Sequence, residues 1–217
     1  HVLPDGDTVA ISKGNGSGWI VITTGWAFAV TIAIFVAQKF GSQAAHLNPA
    51  VTIAMAVHSG NWSDVVPFIT AQLLGAFLGA TLVWLMYLPH WKITEDKGLK
   101  LAVFCTAPAI RDTKANLISE IIGTAVLIIG VMAIYAESGS GLAPYLVGVL
   151  VWSIGLSLGG PTGYAISPSR DLGPRIAHAL LPIAGKGGSD WGYAWIPVVG
   201  PVIGCILAAL LYGVFSL

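Results

Sequence analysis

Residues Gly163–Leu180 read GYAISPSRDLGPRIAHAL. Two arginines and an aspartate follow directly on one of the most apolar parts of the chain, and another long apolar run comes soon after. Ser167-Pro168 has the form of a helix start: serine is a favoured N-cap, and proline suits the first helical position, where its missing N–H has no partner to lose. From Pro168 to Leu180 there is room for a helix of roughly 15 to 20 Å at 1.5 Å per residue, about half of a ~30 Å hydrocarbon core. The same pattern recurs at Ala44–His58, AAHLNPAVTIAMAVH, where Asn48-Pro49 opens a helix running to His58. Each motif follows one apolar run and precedes another. The following runs begin alike, VPFITAQLLGA from Val66 and IPVVGPVIGC from Ile196, with Gln72-x-x-Gly75 answering Pro201-x-x-Gly204.

Composition sets the solvent for these half-length helices. Hydrophobic residues make up 55% of the 217-residue chain and charged residues 9%, with a mean hydropathy of +0.80; an ordinary soluble domain carries about 25% charged residues. The chain reads as an integral membrane protein. A helical crossing needs about 20 apolar residues, and five runs serve: Trp19–Ala37, Val65–Leu88, Leu117–Ala136, Leu142–Leu158 and Tyr193–Leu217. All are interrupted by Gly, Ala, Thr or Pro, and small residues let membrane helices pack closely. None alternates as a transmembrane β-strand does, which sets a barrel aside. Basic and acidic residues balance at ten each, so nothing suggests a nucleic-acid or acidic partner. Cys105, in a polar connector, is expected to be a free thiol and Cys205, in an apolar run, a packed core residue, rather than a disulfide pair. The polar opening HVLPDGDTVAISKGNGSG is not expected to act as a cleavable signal peptide.

Half-helices are tolerated at membrane depth only when buried in protein or lining a watery cavity. The second half also carries an earlier run, LISEIIGTAVLIIGVMAIY from Leu117, whose counterpart in the first half would lie before His1. The expectation is one transmembrane channel domain over 1–217: a first repeat, 1–91, lacking its first helix, a connecting loop, 92–113, and a second repeat, 114–217. Three crossings per repeat is an odd number, so successive repeats enter the membrane from opposite sides. The two half-helix N-termini then meet near the midplane, each with unpaired N–H groups and a positive dipole end. Neutral solutes with oxygen atoms pass such a constriction, whereas protons and cations meet a barrier. Arg170, in the first turn after Ser167, is placed by this reading as a fixed donor at the edge of the path. Pairing with Asp171 or capping carbonyls is its structural alternative. Asp171 suits the positive end of the dipole as a structural acid, and Arg175 is free to sit at the membrane interface.

With both motifs in view, the chain resembles the aquaporin (major intrinsic protein) family, and within it the glycerol facilitators, or aquaglyceroporins. HLNPAVT matches the family's first signature, and GYAISPSRDLGPR matches its second, usually N-P-A-R-D with G-P following. The resemblance runs from about Gly14 to the C-terminus. It implies an all-α membrane protein, an aquaporin-like inverted repeat forming a right-handed bundle of six spanning helices, with two half-helices meeting at the midplane. By that template the first transmembrane helix is the one expected to be missing from this chain. It also implies a homotetramer in the plasma membrane, with the bacterial cytoplasmic membrane favoured. The implied activity is passive diffusion of glycerol, other small uncharged solutes and some water through the lipid bilayer, with no cofactor, no metal and no catalysis.

The residues it carries over are Trp26, Gly155, Tyr164 and Arg170 as a selectivity filter, and Asn48, Pro49, Ala50, Ser167, Pro168 and Ser169 as a central constriction. Ala44, Ala45, His46, Gly163 and Ala165 are expected to offer carbonyls to the solute, with Glu120 and Asp171 as buried structural acids. Water-selective members carry a His where Gly155 falls; its absence is expected to leave room for a carbon chain. Aromatic faces would receive the C–H groups of a polyol while Arg170 and carbonyls replace water's hydrogen bonds, since a desolvated, unpaired hydroxyl costs ~1 to 3 kcal/mol.

The chain departs from the family pattern at Tyr164, where Phe is common, and at Ser167 and Ser169, which replace Asn and Ala. Serine offers one rotatable O–H on a shorter arm where Asn offers two N–H donors, so the midpoint is expected to be wider and to rest more on Asn48. The segment from Trp26 to Asn48 is two residues longer than the family spacing, and a packing or interfacial-belt role is the alternative for Trp26 and Tyr164. Glu120 is expected to accept bonds from the loop before a half-helix, with a proton relay as the rival. His46 reads as core, and His58 and His178 suit the negative ends of the half-helices; none has metal-ligand spacing. Ser167, Asp171 and His178 lack a nucleophile-elbow context, so an enzyme is disfavoured. The connector carries Lys92, Lys97, Lys100, Arg111 and Lys114, which the positive-inside rule assigns to the cytoplasm; the resemblance places it outside and is preferred. Other readings are a same-fold channel for protonated lactic acid, urea, hydrogen peroxide or dihydroxyacetone, an ion-coupled secondary transporter, and a plugged scaffold.

Overall fold

The computed structural model describes residues 12–14, 16–137 and 141–215; most of the polar opening and the last two residues of the final apolar run lie outside them. Among the described residues every regular element is an α-helix. Four are long and apolar enough to cross a membrane: α1 (Trp19–Lys39), α3 (Val65–Met86), α6 (Thr113–Glu137) and α9 (Ile196–Phe215). The run Leu142–Leu158 gives the shorter α7 (Ala143–Leu158), whose 16 residues reach roughly 24 Å. The last run turns helical only at Ile196, because Tyr193–Trp195 form turns, one closed by the Ile196 N–H on the Tyr193 carbonyl.

The two motifs form α2 (Pro49–Ser59) and α8 (Pro168–Leu180). Both N-caps, Asn48 and Ser167, have extended backbone and a side-chain oxygen that accepts an N–H of the first turn, which satisfies a donor the helix leaves open. α2 stops at Gly60, in the left-handed region at φ 73° with its N–H on the Ala56 carbonyl. At the end of α8 the Lys186 ammonium donates to the carbonyls of His178, Ala179 and Leu181 at 2.6, 2.8 and 2.7 Å. A cation there also complements the negative dipole end.

The halves interlock. α2 packs on α9 and α8 on α3, α1 lies along α7, and α6 packs on α9 and α7. Exchanging α1 with α7, α2 with α8 and α3 with α9 maps the pairings that do not involve α6 onto themselves, as a repeat with two-fold symmetry requires. Small residues sit where helices touch: a Cβ on Gly173 of α8 would stand 2.8 Å from Ala76 Cβ of α3, and one on Gly204 of α9 would run into the Ile121 carbonyl of α6. Gly204→Val is therefore expected to destabilise the protein by about 1–3 kcal/mol through overpacking. Gly213→Ala, whose added methyl meets nothing, serves as the control in a thermal-unfolding measurement in detergent.

The connector forms two short helices, α4 (Leu88–Ile93) and α5 (Lys97–Ala102), and is more than a polar tether. Lys100 is buried with its ammonium on the Ala184 carbonyl, and Arg111 pairs with Asp190 at 2.6 Å while lying 5.5 Å from the Tyr193 ring. These two cations are held by internal partners. Cys105 is free but packed with Trp91 and Phe104; burial, with Asp171 nearby, pushes its thiol up to about 12. It is therefore not a reactive thiol.

Candidate functional site

The chain enters each half-helix through unfavourable backbone. Ala45, Tyr164 and Ile166 have φ of 44°, 39° and 41°, a region that non-glycine residues keep only when their surroundings enforce it. Glu120 of α6 does so for the second approach. Its Oε1 accepts the Thr162 hydroxyl at 2.6 Å and the Ala165 N–H at 3.0 Å, and its Oε2 accepts the Ile166 N–H at 2.8 Å. On the first approach Gln72 of α3 donates to the His46 carbonyl at 2.6 Å and the Thr52 hydroxyl at 3.0 Å.

The N-caps are tied across the halves. Asn48 Oδ1 accepts the Ala50 N–H at 2.9 Å, and Nδ2 donates to the Ile166 carbonyl at 2.6 Å. An amide has two N–H donors, so one is left over. Around this junction lies a cavity of about 660 Å³. Trp26, Tyr164 and Arg170 are on its wall, as are Asn48 and Ser167; Val51, Met55 and His58 extend it along one face of α2, beside Tyr135 and Tyr212. Ala44, Ala45, His46 and Ala165 also reach it, while Leu127, Val131, Val147 and Val151 form an apolar side. Pro49, Ala50, Pro168, Ser169, Gly155 and Gly163 are not part of that wall.

The Arg170 guanidinium stands 4.6 Å from the Trp26 ring centroid, a cation–π contact. It is not paired with Asp171, which belongs to Arg175. Asp171 Oδ2 accepts the Thr106 N–H at 2.8 Å and its hydroxyl at 2.7 Å, and Arg175 donates to both carboxylate oxygens, at 2.8 and 3.0 Å. The remaining Arg175 donors reach the carbonyls of Ser189, Asp190 and Thr106 at 2.8, 3.0 and 2.9 Å. All five guanidinium N–H groups are thus bonded inside the protein, which corrects the expectation that Arg175 is free to lie at the interface. His178 Nδ1 lies 2.9 Å from Ser189 Oγ, so the serine, aspartate and histidine of this helix face separate partners and form no triad.

The space at Gly155 is taken by Tyr164. A Cβ there would stand 2.8 Å from Tyr164 Cζ and 2.9 Å from Thr23 Cγ2. Trp19 closes the back of this nest, its indole N–H donating to the Gly155 carbonyl at 2.9 Å and its ring edge-on to Tyr164 at 5.8 Å. The room expected for a carbon chain at Gly155 is instead filled by the tyrosine ring. Sequence reading passed over Trp19, Thr106 and Thr162, whose bonds span 136, 65 and 42 residues of chain; no local pattern marks such partners.

Comparison with known proteins agrees with this architecture. The model of the major intrinsic protein family matches residues 6–212. A probable glycerol uptake facilitator protein of Thermotoga maritima is 60% identical over 203 residues, 93% of this chain and 86% of that protein. A glycerol uptake facilitator protein of Streptococcus pneumoniae is 55% identical over 206 residues, 94% of this chain and 87% of that protein. The X-ray structure of the aquaglyceroporin from Plasmodium falciparum is similar with a TM-score of 0.78 at 29% identity, covering 91% of this chain and 83% of that one. Motifs, interlocked half-helices and relatives all lead to the same conclusion: the chain belongs to the major intrinsic protein family.

Proposed function

We propose that this protein is a passive membrane channel for glycerol and other small uncharged solutes, with some water, and that it excludes protons and ions. The observation that carries the proposal is the cavity at the paired N-caps. Its lining joins a cluster of apolar side chains, Leu127, Val131, Val147 and Val151, with Arg170, Asn48 and Ser167, which supply donors. A polyol has the matching two faces, C–H on one and hydroxyls on the other. Arg170, held over Trp26, and Tyr164 act as the selectivity filter in this reading, with Gly155 setting the depth at which Tyr164 sits. Asn48 and Ser167 contact the solute at the midpoint, and Pro49, Ala50 and Pro168 shape the helix starts from behind. Ala44, Ala45, His46 and Ala165 supply acceptors along the approach.

Several weak sites let a solute exchange water's hydrogen bonds stepwise and still leave. The positive helix ends and the Arg170 charge raise the energy of a cation at the same place. Glu120 and Asp171 hold the scaffold and take no part in transfer. One domain over 1–217, built of two repeats, working in the plasma membrane as a homotetramer with one path per subunit, completes the proposal.

Stopped-flow light scattering on proteoliposomes tests it. The expected result is rapid re-swelling under a glycerol gradient and shrinkage without re-swelling under an impermeant osmolyte. Water flux alone would overturn the assignment to glycerol, and uptake that saturates and follows an ion gradient would indicate a transporter instead.

A further inference from the structure

The serines of the second motif make a hydrogen-bonded pair with a direction. Ser167 Oγ accepts the Arg170 backbone N–H at 3.3 Å and lies 3.3 Å from Ser169 Oγ. Both residues are buried, at 6% and 3% exposure, yet only Ser167 is on the cavity wall. A hydroxyl has one proton to give and two lone pairs to receive with. Ser169 Oγ meets no other hydrogen-bonding group among the described residues, and a buried hydroxyl left without an acceptor is strongly disfavoured. Its proton therefore goes to Ser167. Both lone pairs of Ser167 are then occupied, one by the Arg170 N–H and one by the Ser169 O–H, and its own proton has the cavity as its remaining direction.

We propose that Ser169 is a positioning residue that fixes the Ser167 hydroxyl as a proton donor toward the oxygen of a passing neutral solute. The inference rests on the channel reading above, because it needs a solute at this point. Asn48, on the same cavity wall from the other half, has a second amide N–H to give, so the constriction holds a donor from each half. The pair Ser167-Ser169 does with a relayed O–H what a single amide side chain does without help. Alone, a serine at the cap would rotate and offer a lone pair as readily as a proton.

A four-variant cycle tests this. Ser169→Ala is expected to lower glycerol permeability about three- to tenfold, the range of one hydrogen bond. The same change made together with Ser167→Asn is expected to have no effect, since an amide needs no partner to present its N–H. Ser169→Thr, which keeps the hydroxyl, is expected to retain the flux. An equal loss from Ser169→Ala in both backgrounds would show that Ser169 acts through packing, and no loss in either would show that the Ser167 proton needs no guide. Either result overturns the inference. If Ser167→Asn does not fold, the comparison of Ala with Thr at position 169 carries the test: equal flux from the two would overturn it. A wild-type protein that passes water and no glycerol would instead overturn the substrate assignment, and water permeability across the same variants would still test the serine pair.

Discussion

Gly155→Leu is expected to remove nearly all glycerol re-swelling from proteoliposomes while leaving a folded protein. The reason is the nest behind Tyr164. A Cβ at position 155 would stand 2.8 Å from Tyr164 Cζ and 2.9 Å from Thr23 Cγ2. Thr23 is fully buried in α1 and Trp19 is tied to the Gly155 carbonyl, so Thr23 shifts by the little its contact demands and the larger displacement falls on the tyrosine ring. The tyrosine ring moves into the cavity it already lines, because that is the side without packed atoms. A solute then has to push the ring back against the added side chain. Overpacking of this kind costs about 1–3 kcal/mol, which as a barrier slows passage about 5- to 150-fold. Adding Tyr164→Ala to Gly155→Leu removes the displaced ring and is expected to restore glycerol flux. Unchanged flux in the single variant, with a normal unfolding midpoint, would mean that Tyr164 does not limit passage.

The same nest shows where sequence reading stops. The half-helices are legible because their starts are chemistry of neighbouring residues: Asn48 and Ser167 are good caps, and Pro49 and Pro168 fit the next position whatever surrounds them. The spanning runs are legible because a hydrocarbon solvent imposes composition over about 20 residues. Their limits shift by a few residues where turns intervene, as at Tyr193. What stays hidden depends on chain segments that only the fold brings together. The absence of a bulky residue at Gly155 reads as empty space until α1 and α7 are placed side by side and Tyr164 fills it. Lys100 and Cys105 sit in a polar connector, and nothing in their neighbours says that the connector folds back over Ala177, Ile183 and Ala184. Arg175 reads as an interfacial cation because its three carbonyl acceptors lie at residues 106, 189 and 190.

That arginine leads to the largest stability effect expected. Asp171 and Arg175 are both at 0% side-chain exposure and pair at 2.8 Å, one helical turn apart on α8. Removing one partner of such a pair leaves a buried charge uncompensated and typically costs 3–5 kcal/mol, roughly. Arg175→Met is expected to leave little folded protein, because it strands Asp171 and frees the carbonyls of Thr106, Ser189 and Asp190 at once. Asp171→Asn keeps the volume and some of the hydrogen bonds, and is expected to be less severe. Arg111 provides the contrast. Its pair with Asp190 is half exposed, at 57% on the arginine side, and Arg111→Ala is expected to cost no more than about 1 kcal/mol. The double change Asp171→Leu with Arg175→Met removes both charges and is expected to unfold at a higher temperature than Arg175→Met alone. The comparison of melting midpoints in detergent decides what the pair is for. If the double variant is as unstable as the single, the carbonyl contacts of Arg175 carry the stability; if it recovers, the stranded carboxylate was the cause. In the first case those contacts hold α8 against the segments that carry residues 106, 189 and 190, and with it the turn that aims Arg170 over Trp26.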